Sequence, residues 1–235
     1  MQITKRHWIA AGVGVAIAVG AGAGVWYWKA SLVPAFPINP ADHIASWSFT
    51  GPYSGNAALL KQATDDIAHL TALMGKGEYD DYDLHLGIGN DDALIGDGAG
   101  AYGEYNRAVK IHPAKGLAYV NLGHLFDLLG AEETAADAYA KAVAVEPAVL
   151  EYHVERLTFL TTKFPNDTAR IQAALADAAK QFGDVAEVLS IEAQWLTKEG
   201  RYADAIAAWE RVKLISPGRD MTAVNAAIAH LKTLQ

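Results

Sequence analysis

The feature that most constrains this chain is a spacing that recurs. From Gly116 to Val149 the sequence sets down Tyr119, Leu122, Gly123, Phe126, Gly130, Ala135, Tyr139, Ala142 and Pro147. One period of about 34 residues earlier, Tyr82–Lys115 fills the same slots with Ile88, Gly89, Gly96, Ala101, Tyr105, Ala108 and Pro113. Ala186–Arg219 repeats them as Leu189, Ala193, Leu196, Gly200, Ala205, Trp209, Val212 and Pro217. The interval between, Leu150–Val185, is slightly too long. Its excess falls in the turn around Lys163–Thr168, after which Ile171, Leu175 and Ala178 resume helical spacing. Small residues such as Gly123 and Ala135 belong where two helices cross closely, and Tyr139 and Ala142 belong between one unit and the next. Pro147 ends the second helix, having no N–H to donate.

This order of aromatic, Leu-Gly, aromatic, Ala, aromatic, Ala and Pro resembles the tetratricopeptide-repeat family. The resemblance implies an all-α solenoid of helical hairpins, with about four repeats over residues 82–219. That exceeds the minimum of about three needed to bury a continuous core. Residues 56–81 are expected to form an N-terminal capping helix, since Asn56–Met74 places Leu60, Ala63, Ile67, Leu70 and Met74 on one face. Residues 220–235 are expected to close the other end with Val224, Ala227, Ile228, Leu231 and Leu234.

The resemblance also implies a groove lined by the first helix of each repeat, where partner proteins lie. Its expected lining is Asn90, Asn121, His124, Asp127, Glu151, Glu155 and Gln194. One subset of the family clamps a peptide carboxylate with two asparagines, two lysines and an arginine. Asn90 and Asn121 match its asparagines, but Leu86, Glu151 and Glu155 stand where the cations belong. A carboxylate would meet like charge there, so a neutral or basic segment fits better.

Ahead of the repeats, residues 9–28 read IAAGVGVAIAVGAGAGVWYW, a run without a charge. At about 1.5 Å per residue such a run spans roughly 30 Å, the hydrocarbon thickness of a bilayer. Lys5 and Arg6 precede it and Trp26, Tyr27 and Trp28 close it, which fits residues 1–8 staying cytoplasmic and the repeats lying outside. A cleavable signal peptide competes, with Val33-Pro34-Ala35 or Ala21-Gly22-Ala23 imitating a cleavage site. The apolar run exceeds the usual 7–15 residues for that role. Gly12, Ala16, Gly20 and Gly24 form a small-residue stripe, with Gly14, Ala18 and Gly22 as a second row, and such stripes let membrane helices pack closely. Residues 29–55 then read as a spacer. Pro34, Pro37 and Pro40 suit a polyproline II segment, while Trp47, Phe49 and Tyr53 are too aromatic for a free linker and should pack on the repeats or on a partner.

A net charge of −8 argues against nucleic acid as a partner, and the absence of cysteine excludes disulfides and thiolate chemistry. Asp91, Asp92 and Asp97 lack the spacing of a calcium loop and read as helix and turn acids. Glu78, Asp80, Asp81 and Asp83 read as a solvated helix start. His85 and His153 fall in an aromatic slot of their repeats and read as packing residues. Nothing in the sequence assembles a nucleophile, a base and an oxyanion hole. The expectation is a non-enzymatic scaffold with no cofactor or metal, a single-pass protein of the cytoplasmic membrane whose repeat domain recruits another protein on the periplasmic side. The alternatives are an accessory subunit of a larger membrane complex held through the glycine-rich helix, and a periplasmic chaperone for exported clients.

Overall fold

The computed structural model describes residues 35–235, and within them the chain is built from ten helices. These are α1 (Ala57–Leu73), α2 (Asp81–Ile95), α3 (Gly98–Ile111), α4 (Leu117–Leu128), α5 (Glu132–Val145), α6 (Leu150–Lys163), α7 (Thr168–Phe182), α8 (Ala186–Lys198), α9 (Tyr202–Ile215) and α10 (Thr222–Lys232). The expected membrane helix at 9–28, with Gly12, Ala16, Gly20 and Gly24, lies outside the described residues. Among the described residues no helix is long and apolar enough to cross a membrane.

Each repeat is one hairpin: α2–α3, α4–α5, α6–α7 and α8–α9. The hairpins stack in chain order, with α1 packed on α2 and α10 on α9 as end caps. Complementary sizes set the hairpin crossings. A Cβ on Gly89 would lie 2.6 Å from the Tyr105 ring, and one on Gly123 would lie 2.8 Å from the Tyr139 ring. A large residue on the second helix is thus matched by no side chain on the first. The same slot holds Leu157 in the third repeat, opposite Leu175, and Ala193 in the fourth, opposite Trp209. Tyr139 also reaches the following repeat, with its ring 5.0 Å from that of Phe159.

Caps and turns follow from local chemistry. Asn56, Asp80, Asp97 and Asp167 each accept a backbone N–H in the first turn of α1, α2, α3 and α7, satisfying donors that the helix leaves unpaired. Gly96 ends α2 at φ 87°, a left-handed conformation that suits glycine. The acidic helix start is therefore partly structural. Asp80 takes the Tyr82 N–H, which draws its carboxyl below the ordinary range, and it pairs with His112 and Lys115 at 3.1 and 3.6 Å. The caps match the sequence pattern except at Leu234, which lies beyond the end of α10 and is 45% exposed.

Residues 35–55 do not stand away from the repeats. They form a strap along the second-helix side of the first two hairpins. Phe36 is buried between α3, α4 and α5, its ring 6.0 Å from Tyr119 and 6.2 Å from Phe126. Its backbone is held on both sides: its N–H donates to Asn106 and its carbonyl accepts from Tyr102 at 2.8 Å. Asn39 N–H donates to Thr134 at 3.0 Å. Asp42 accepts from the Thr134 N–H and hydroxyl, both at 2.6 Å. Helix α5 has no side-chain cap of its own, so the strap supplies one from far away in sequence. Trp47 then stacks against Tyr102 at 5.0 Å, and the N–H groups of Phe49 and Tyr53 donate to the carbonyls of Gly96 and Leu94.

Candidate protein-binding face

The first helices of the repeats present parallel stripes at i, i+4, i+7 and i+11, the spacing of one helical face. On α4 the stripe is Leu117, Asn121, His124 and Leu128; on α6 it is Glu151, Glu155, Thr158 and Thr162; on α8 it is Glu187, Ile191, Gln194 and Lys198. The corresponding stripe of α2 is closed at Gly87, whose Cβ would meet Leu70 of α1 at 2.9 Å. The open surface is therefore that of α4, α6 and α8.

Polar side chains join across repeats in a regular pattern. Tyr105 donates its hydroxyl to Asn90 Oδ1 at 2.8 Å, and Asn121 Nδ2 donates to the same oxygen at 3.0 Å. One repeat further on, the Tyr139 hydroxyl bonds His124 Nδ1 at 3.0 Å, and His124 Nε2 lies 3.7 Å from Glu155. Tyrosine, the residue on the first helix, and its neighbour in the next repeat thus form one rung. Burial raises the hydroxyl pKa of both tyrosines well above the ordinary range, so each stays a neutral donor or acceptor. The pattern stops after the second repeat, where the equivalent slots are Leu175, Thr158 and Ile191.

The structure thus brings together Asn90, Asn121, His124 and Glu155. Glu151 lies one turn before Glu155 and is exposed. Asp127 is turned to other work: Lys163 Nζ sits 2.6 Å from it and 3.5 Å from Glu132, and this bond raises the Lys163 pKa. Gln194 is exposed on α8 and makes no side-chain hydrogen bond among the described residues. Leu86, aligned with a cationic slot of the carboxylate clamp, is buried. Two residues were missed. Leu117 and Leu128 are 45% and 54% exposed on the open face, although in a helix as apolar as α4 they pass for core. Their shared i, i+11 register with Asn121 and His124 was the available signal.

The other acids and histidines have structural roles. Asp97 caps α3 through the Gly100 N–H. His85 is half-buried against Glu104 at 2.6 Å. His153 is buried, and its Nε2 lies 3.0 Å from the Pro147 carbonyl. In the preceding repeat the Tyr119 hydroxyl makes the same bond to Pro113.

Solved structures with the same arrangement of helices exist. The MamA protein is 20% identical over 66% of this chain and 82% of its own, with a TM-score of 0.51. A thermophilic tetratricopeptide-repeat protein from Thermus thermophilus is 16% identical over 75% of this chain and 93% of its own, with a TM-score of 0.50. The chain has a tetratricopeptide-repeat-like fold. At these identities the likeness concerns the solenoid alone. No family model and no curated protein sequence matches the chain.

Proposed function

We propose that this protein is a non-enzymatic scaffold that holds a segment of a partner protein across the stripes of α4, α6 and α8. The observation that carries the reading is the composition of that face. Leu117 and Leu128 offer exposed apolar footholds, and Glu151, Glu155 and Glu187 lie beside them. Asp127, beside the α4 stripe, is already paired with Lys163 within the fold. An apolar surface edged with acids suits a segment carrying both apolar and basic side chains. The proposed site is the outer face of the cytoplasmic membrane, a placement that rests on the sequence of residues 9–28 and the basic residues before them.

The test is cross-linking mass spectrometry on native membranes, comparing the natural protein with a Glu151→Lys, Glu155→Lys variant. A partner cross-linked to α4 and α6, and released by the double charge reversal, supports the scaffold. Cross-links confined to residues 1–55 and unaffected by the reversal refute it, and favour a subunit held through its N-terminal segment.

A further inference from the structure

The strap shows what the opposite side of the solenoid accepts. Phe36 fills a groove between the second helices α3 and α5, floored by α4. Its walls are Tyr102 and Asn106 from α3, and its floor is Tyr119 and Phe126. One repeat along, the equivalent residues are Ala136 and Ala140 on α5, and His153 and Leu160 on α6. Two alanines replace two large wall residues, and open space remains beside them, with Phe182 of α7 packed edge-on against His153 at 5.3 Å.

Two cavities result, of about 470 Å³ and about 210 Å³, and they share Ala140 and Arg156. Both share the α5 and α6 walls, so they form one groove. The larger is within the ~300–1,000 Å³ common for binding pockets. His153 lines it, and because the Pro147 carbonyl can only accept, the ring proton sits on Nε2. Nδ1 is left as a buried acceptor without a partner. Three cations line the groove, and one of them lacks an ion-pair partner among the described residues. Arg156, Arg170 and Lys180 line it against Asp137 and Asp177. Arg156 donates to Asp177 at 2.8 Å, Arg170 pairs with both Glu133 at 3.0 Å and Asp167 at 3.1 Å, and Lys180 makes no ion pair among the described residues.

We infer that the α5–α7 groove is a second docking site, on the side opposite the α4–α6–α8 face, for an extended strap-like segment of a partner protein. The segment carries an aromatic or large apolar anchor and a nearby carboxylate. The anchor enters between Ala136 and Ala140 as Phe36 enters one repeat earlier, and the carboxylate meets Lys180. The same groove one repeat earlier is already occupied by a segment of this chemistry, with Phe36 as its anchor and Asp42 six residues on. This second site is independent of the function proposed for the first-helix face.

The test uses the full chain in detergent and a fluorescent synthetic peptide with the sequence of residues 35–48. Saturable binding is expected, weakened at least about tenfold by Ala140→Trp, which fills the groove. A second peptide with benzoylphenylalanine at the Phe36 position should photo-cross-link to α5 or α6 of the unaltered protein, a readout that does not depend on the variant folding. The inference is overturned if no saturable binding occurs. It is equally overturned if binding appears only in a Phe36→Ala background, or if cross-links are confined to α3 and α4, because the peptide is then replacing the protein's own strap.

Discussion

Asp92 occupies a slot that the other repeats give to Phe126, Leu160 and Leu196, and replacing it should stabilise the protein in a pH-dependent way. Only 8% of the residue is exposed. Burial, reinforced by Asp97, Glu104 and Asp91, raises its pKa from 3.8 to about 6, with Arg107 opposing. A raised carboxyl pKa means that the folded state holds its proton where the unfolded chain has released it. Well below pH 3.8 both states are protonated and Asp92 costs nothing. Between about pH 4 and 6 stability falls as pH rises, and above 6 the full penalty applies. A shift of roughly two units corresponds to at most ~3 kcal/mol, and about 1–3 kcal/mol is the range to expect. Asp92→Asn removes the ionisation while keeping the shape. Urea denaturation of both proteins at pH 4, 5, 6 and 7.5 isolates this group from the other carboxylates. The variant's advantage should be smallest at pH 4, on the order of a few tenths of a kcal/mol, and reach about 1–3 kcal/mol at pH 7.5. An advantage independent of pH, or a variant less stable at pH 7.5, refutes the reasoning.

Asp42→Ala should cost about 1–2 kcal/mol, because it removes the side-chain cap that the described residues give α5 and leaves the Thr134 hydroxyl without its acceptor. Hydrogen exchange at Glu133 and Thr134 should speed up, and adding Thr134→Ala should cost less than it does alone, because its hydroxyl bond to Asp42 is already gone and the one it accepts from the Asn39 N–H is what remains to be lost. Two glycines should respond in opposite directions. Gly123→Ala drives a methyl into the Tyr139 ring and should destabilise by about 1–3 kcal/mol. Gly103→Ala, with open space around its Cβ within α3, should stabilise by up to about 1 kcal/mol. Chemical denaturation midpoints check both.

The hairpins were legible because their contacts are local and periodic: Gly89 meets Tyr105 and Gly123 meets Tyr139 within a single repeat. The juxtaposition of Asn90 with Asn121 followed from the same register, since neighbouring repeats repeat their geometry. What was hidden lies outside that period. Asp42 meets Thr134 from 92 positions away in sequence, and no spacing announces a contact between an irregular strap and a distant helix start. The diversion of Asp127 to Lys163 was hidden for another reason. Register places a side chain on a face but does not say which neighbour captures it. The burial of Asp92 was masked by its surroundings, since Asp91 and Asp97 beside it made a plain acidic stretch.

The strap is held by two separate sets of contacts, and this predicts how it comes away. Residues 36–42 depend on the Phe36 ring and on side-chain acceptors from α3 and α5. Residues 47–53 depend on backbone bonds to the turn between α2 and α3 and on the ring contact of Trp47 with Tyr102. Phe36→Ala removes a buried aromatic, a loss of about 3–5 kcal/mol where the surroundings cannot collapse. That is comparable to what the remaining hydrogen bonds of the first set supply together, at about 1 kcal/mol each, so the first set is left with little net hold while the second is untouched. The first set should therefore open while the second stays closed. Hydrogen exchange in Phe36→Ala should lose protection at Asn39 and at the capped Thr134 amide, while Phe49 and Tyr53 keep theirs. Protection lost together at all four amides would mean a strap that docks as one unit, with Phe36 holding the turn between α2 and α3 as well. Protection kept at Asn39 would mean that the hydrogen bonds, rather than the ring, hold it to the repeats.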